Sequence, residues 1–138
     1  MESTLWPYPG SRWWKFDFHT HTPASTDTPW ARAGAGGSPE EWLLKYMAAG
    51  IDCVAVTDHN SGAWIDLLKV AYTDMKSQAD KGQVPPGFRP LTIFPGVEIS
   101  VSGGFHLLAL FDPSASTRTI TDVLAAVLRG MSFGAIRK

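Results

Sequence analysis

The chain has 138 residues, 44% of them hydrophobic and 18% charged, with a formal net charge of −1. That length allows one domain but not two, and the near-neutral balance argues against a duplex-DNA binder or a polybasic membrane module. A single cysteine excludes an internal disulfide or a Cys-rich zinc site, and no stretch approaches the roughly 18 apolar residues of a membrane span. A cytoplasmic protein is therefore expected, with Cys53 a small buried residue in a strand.

Residues 1–12, rich in Trp, Tyr and Pro with no period, read as an irregular aromatic arm, with the domain proper over 13–138. They lack the basic flank and apolar run of a signal peptide. Trp6, Tyr8, Trp13 and Trp14 could stack on bases, but no basic residues are interleaved with them. In WKFDFHTH, Phe16 and Phe18 alternate with Asp17, His19 and His21, a strand pattern that sends the three polar residues to one side. Residues 22–37 are small, polar, Gly or Pro, a loop too long to be a plain connection. Ser38-Pro39-Glu40-Glu41 predicts a capping box opening a helix with Trp42, Leu43, Tyr46 and Met47 on its apolar face, stopped at Gly50.

IDCVAVTDHN reads as a strand buried on both faces that ends in Asp58-His59-Asn60. Ile65, Leu68, Tyr72, Met75 and Ala79 predict a helix ending near Lys81-Gly82. LTIFPGVEIS and FHLLALFD are two further strands joined through Val101-Ser102-Gly103-Gly104, and Thr119 to Asp122 resembles the start of a last helix. The order strand, helix, strand, helix, strand, strand, helix indicates an α/β domain with largely parallel strands.

In sheets built from βα units, function collects at the C-terminal strand ends. His19 and His21 close the first strand, Asp58 and His59 the second, and Glu98 the third. Two histidines at i and i+2 suit one metal ion at roughly 2.0–2.2 Å, and a carboxylate can bridge two ions. Nitrogen and oxygen donors without thiolate select Zn, Mn or Fe. His106 starts its strand, so it joins the others only through a hairpin. With Ser102-Gly103-Gly104 as a three-residue loop, Val101 pairs with Phe105, Ser100 with His106 and Glu98 with Leu108, placing Glu98 and His106 on one face.

The strings FDFHTHTPAS, VAVTDHN, PGVEIS and FHLLALF, in this order over about residues 14 to 112, resemble the first motifs of the PHP (polymerase and histidinol phosphatase) domain superfamily. The resemblance implies a distorted (β/α)7 barrel, of which this chain would be the N-terminal portion, that binds up to three divalent metal ions and hydrolyses phosphomonoesters or phosphodiesters. It implies that His19 and His21 bind the first metal, that Glu98 bridges to the second, and that His106 binds that second ion. His59 would bind the third, with Asp27, eight residues after His19, in the place of a further third-metal ligand. The family's later histidine and its Asp-x-His pair have no counterpart, since no histidine follows His106. The closing LRGMSFGAIRK resembles nothing in the family. The Trp-rich arm with HTHTPAS is also similar to PHP modules placed before an ATPase domain in proteins of nucleic-acid processing or defence.

The expected substrate is accordingly a phosphorylated small molecule or nucleic acid, attacked by water made acidic, with a pKa near 7, by the metal. Asp17 and Asp58 are expected to support the ligands rather than bind metal. Asn60, Asp112-Pro113 and Glu40-Glu41 read as turn and cap residues, and Trp42 and Trp64 as packing. The amidohydrolases share a His-x-His on strand one but lack the later motifs. The competing reading is a non-catalytic structural or regulatory remnant. A barrel opened after four strands exposes an edge and an apolar face, so the isolated chain is expected to be poorly soluble or oligomeric.

Overall fold

The structure is a computed structural model that describes residues 13–101 and 103–130. The arm over residues 1–12 and the segment after residue 130 lie outside the described residues. The elements are β1 (Phe16–Thr20), α1 (Pro29–Arg32), α2 (Pro39–Ala48), β2 (Cys53–Val56), α3 (Ile65–Asp80), β3 (Thr92–Val101), β4 (Phe105–Leu110) and α4 (Thr117–Gly130). The strands form one sheet in the order β1-β2-β3-β4, with β1, β2 and β3 parallel and β4 antiparallel to β3. The result is an α/β half-barrel, a curled sheet with its helices on the outer face.

Helix α2 begins as its sequence requires. Ser38 Oγ accepts the Glu41 N–H at 3.2 Å and Glu41 Oε2 accepts the Ser38 N–H at 2.8 Å, with Pro39 in the first turn. It ends with Gly50 at φ 72, where the Gly50 N–H reaches Met47 O and the Ile51 N–H reaches Tyr46 O. Glycine, with no Cβ, takes that left-handed turn freely, and it feeds the chain directly toward β2.

On β2, Val54 and Val56 are fully buried and join Ile93, Val97 and Ile99 of β3 in the core. Leu43 and Met47 of α2, Ile65, Leu68 and Met75 of α3, and Ile120 of α4 complete it. Cys53 is buried in β2, as expected. Pro95 falls where the ladder with β4 gives out: pairing starts at Gly96, and Pro95 has no N–H with which to continue it.

Two expectations need correction. The loop over residues 22–37 contains the short helix α1, opened by Pro29 after an extended Thr28. Helix α4 starts at Thr117, two residues before the expected cap. The reason is tertiary. Thr117 N–H donates to Asp66 Oδ1 at 3.0 Å and Asp66 N–H donates back to Thr117 Oγ1 at 3.2 Å, so the first turns of α3 and α4 cap each other. Thr117 Oγ1 also donates to Gly62 O at 2.8 Å, and Gly62 lies directly under Ile120.

The inner face of the sheet carries Phe94, Gly96, Glu98, Leu108 and Leu110 by register. Phe18 meets Phe94 edge to face at 5.9 Å. Phe16, Phe18, Leu108 and Leu110 are each at least 40% exposed. An exposed apolar sheet face is therefore present, as the sequence reading expected.

The reciprocal cap sets a test of the α3–α4 junction. Replacing Asp66 by Ala is expected to lower the unfolding free energy by about 1 kcal/mol, with Asp66→Asn retaining most of it. Urea denaturation of the three proteins checks this.

Candidate metal centre

Thr20 and Thr57 stitch the C-terminal ends of β1 and β2 together. Thr20 Oγ1 donates to Ala55 O at 2.6 Å, Thr57 Oγ1 donates to Thr20 O at 3.0 Å, and both residues are buried. This fixes the backbone between His19 and His21. The strand is not regular here. Asp17 pairs with Val54 and Thr20 with Val56, both on the helix-covered face, so Phe18 and His19 share the space of one residue. This irregularity corrects the simple alternation. Asp17 sits on the helix side and takes the His19 backbone N–H at 3.4 Å, while His19 turns inward to the carboxylate of β3.

That carboxylate is Glu98, whose side chain is 4% exposed. Its Oε2 lies 2.8 Å from His19 Nε2, 3.5 Å from His21 Nε2 and 3.2 Å from His59 Nε2. Its Oε1 contacts His106 Nδ1. His59 is brought alongside by a parallel bridge in which Glu98 N–H donates to Asp58 O at 3.0 Å and Asn60 N–H donates to Glu98 O at 2.9 Å. Asn60 takes φ 48 to make this turn, in keeping with its expected role.

His106 arrives through the hairpin. The pairs Val101–Phe105, Ser100–His106 and Glu98–Leu108 are all present, so the three-residue-loop register holds and His106 reaches Glu98 diagonally. Asp27, in the loop before α1, brings its carboxylate to His59 Nδ1 at 2.6 and 2.7 Å. His19, His21, Asp27, His59, Glu98 and His106 thus come together in one linked cluster.

Asp58 stands behind the cluster, fully buried. Its Oδ1 accepts the Thr22 N–H at 2.6 Å and the Ser25 hydroxyl at 2.7 Å, and its Oδ2 accepts the Thr22 hydroxyl at 2.5 Å. It clamps the loop that carries His21 and Asp27. Trp42, buried as expected, also donates its indole N–H to His21 O at 3.0 Å. Thr22 and Ser25 are functional neighbours that residue patterns do not single out. Hydroxyl residues are ordinary in loops, and only the fold brings a buried carboxylate against them.

The electrostatics are those of a carboxylate inside an imidazole shell. Burial opposes ionisation of Glu98, but the His19 hydrogen bond and the nearby His59, His19 and His106 outweigh it and hold the carboxyl below its ordinary range. Asp27 is likewise lowered: burial is the largest single influence and opposes ionisation, but the hydrogen bond to His59 and the proximity of that ring together outweigh it. His21 is pushed down by burial and by proximity to His59, against the pull of Glu98.

His19, His21 and Glu98 each offer one donor atom within 4.8 Å of the others, so the three could hold a metal ion. The fit is chemical as well as spatial. Tetrahedral donors at about 2.1 Å from an ion lie about 3.4 Å apart, and Glu98 Oε2 stands 3.5 Å from His21 and 2.8 Å from His19. A cavity of about 430 Å³ opens beside His19 and His21, walled by Trp30, Trp42 and Tyr46, with Lys45 as a cation on its rim.

The lowered groups make stability pH-dependent. A group whose pKa falls on folding stabilises above its unfolded value and loses that contribution as pH drops through the folded one. Unfolding free energy of the metal-free protein is expected to fall below pH 6.5 as His21 becomes protonated in the unfolded chain. A second fall is expected near and below 4.5 and 3.8 from Glu98 and Asp27. Urea titrations from pH 8 to 3 check this, and His21→Gln should flatten the first fall. A level profile between pH 7 and 5 in the parent protein counts against it.

No protein-family model and no curated protein matches the chain.

Proposed function

We propose that the chain is the metal-binding portion of a phosphoesterase domain of the PHP type, a half-barrel of the distorted (β/α)7 architecture. The observation that carries this reading is the convergence of four imidazole nitrogens on the buried carboxylate of Glu98. An imidazole nitrogen and a carboxylate oxygen are both donors to a divalent cation, and an ion among these groups would use them together. The donor set, nitrogen and oxygen without thiolate, suits Zn, Mn or Fe.

His19, His21 and Glu98 would hold one ion, with His59, Asp27 and His106 placed to hold others. A divalent ion bound there supplies Lewis acidity and lowers the pKa of water to about 7, which suits hydrolysis without a side-chain nucleophile. The chain's own groups do the positioning. Glu98 neutralises the cluster, Asp27 directs the His59 ring, and Asp58 holds the loop. The substrate would be a phosphorylated small molecule or nucleic acid, its phosphoryl group at the histidines and its ester substituent in the cavity lined by Trp30 and Tyr46. Lys45 supplies the charge that favours an anion there.

Exposed apolar side chains on both faces of β4 favour a second reading. Phe105, Leu107, Leu108 and Leu110 are 42% to 69% exposed, which suits a structural or regulatory module that docks against further protein, such as an ATPase domain.

Metal analysis of protein purified without added metal, together with turnover of p-nitrophenyl phosphate and bis(p-nitrophenyl) phosphate, separates the two readings. The expected result is at least one Zn, Mn or Fe per chain, lost in the His19→Ala/His21→Ala protein. Turnover should be abolished by chelation, and lowered on the order of 100-fold or more by Glu98→Ala. Metal-free protein with no turnover after reconstitution supports the docking module instead.

A further inference from the structure

Ser25 sits where the loop clamp meets the histidine cluster, and its hydroxyl has more partners than a loop serine needs. It is fully buried. A serine hydroxyl has one proton to give and two lone pairs to receive with. The proton goes to Asp58 Oδ1 at 2.7 Å, because a carboxylate only accepts. One lone pair takes the His59 backbone N–H at 3.1 Å. The remaining partner is His21 Nδ1, 3.2 Å away.

With the proton committed and one lone pair used, Ser25 can only accept from His21. We infer that Ser25, oriented by Asp58, forces the neutral His21 ring into its Nδ1–H tautomer and so leaves Nε2 unprotonated on the side of Glu98. That nitrogen faces Glu98 Oε2 at 3.5 Å, the position a metal donor needs, and the His21 carbonyl is separately held by the Trp42 indole. The opposite tautomer would set the lone pair of Nδ1 against that of the serine and point an N–H at the ion.

The same hydroxyl spans two strand ends. Its loop closes through Ser25 N–H to Thr22 O and Thr28 N–H to Ser25 O, each at 3.0 Å, and this turn carries Asp27 to His59. Asp27 acts on His59 as Ser25 acts on His21: each occupies Nδ1 and leaves Nε2 toward Glu98. Ser25 is thus a positioning residue, which would act on a bound ion through the His21 ring. The inference rests on the metal-site reading for its purpose, but not for the tautomer itself.

The test reads the tautomer directly. In metal-free protein labelled with ¹⁵N-histidine, at a pH where the ring is neutral, His21 is expected to show a protonated Nδ1 and an unprotonated Nε2. Ser25→Ala should release that preference to a mixture and weaken zinc binding by about 10- to 100-fold in a chelator competition. Thr22→Val serves as the control, since it removes one hydroxyl from the Asp58 clamp but keeps the Ser25 hydroxyl between Asp58 and His21, and it should retain the Nδ1–H form. An Nε2–H ring in the parent protein overturns the inference, as does a Ser25→Ala protein with the tautomer and zinc affinity unchanged. If Ser25→Ala does not fold, the parent and Thr22→Val spectra still decide. A parent protein that shows the Nδ1–H ring yet takes up no zinc would instead overturn the metal reading and leave the tautomer standing.

Discussion

A carboxylate that is 4% exposed and ringed by four imidazoles is the constraint around which this molecule is arranged. Taking a charge out of water is costly unless it is paired and hydrogen-bonded, so the surrounding structure must deliver its partners accurately. Glu98 lies on β3, the strand that pairs with β2 through its first half and with β4 through its second. One strand therefore collects partners from both sides. His19, His21 and His59 come from the parallel side and His106 from the hairpin.

The delivery depends on a second buried carboxylate with no imidazole contact of its own. Asp58 accepts two hydroxyls and one backbone N–H from the loop after β1, and those bonds turn a polar, glycine-rich connection into an ordered wall. Removing such an acceptor would leave three buried donors without partners, each costing on the order of 1–3 kcal/mol. The two carboxylates divide the work: Glu98 gathers the rings, and Asp58 sets the loop that aims them. Asp27, more than half exposed, reaches His59 only because that loop is held.

The helices and the outer sheet face serve as the rigid support. Val54, Val56, Val97 and Ile120 are fully buried on that side, whereas the inner face leaves phenylalanine and leucine side chains in solvent beside the cluster. This asymmetry belongs to a curled sheet that, among the described residues, is covered by helices only on its outside. It places the histidines at the rim, with a cavity of about 430 Å³ next to them, and leaves a broad apolar surface below.

Much of this was legible in the residues alone. The capping box at Ser38, the fully apolar β2, the hairpin turn after β3 and the placement of histidines at strand ends follow from local rules of helix capping, side-chain alternation and turn length. Those rules act over a few residues and need no knowledge of the rest of the chain. Of the loop lengths the hairpin's turn residues allow, the three-residue one brings Glu98 and His106 to one face and a two-residue one would part them; the pairing in the structure is the three-residue register. What the tertiary structure decided is of another kind. The irregularity in β1 that separates Asp17 from His19 depends on pairing with β2. The start of α4 at Thr117 depends on Asp66 at the head of α3, 51 residues earlier in the chain. The part played by Ser25 depends on a carboxylate 33 residues away. Each is a hydrogen bond between groups distant in sequence. Residue types can offer such donors and acceptors, but only the packed fold selects which of them meet.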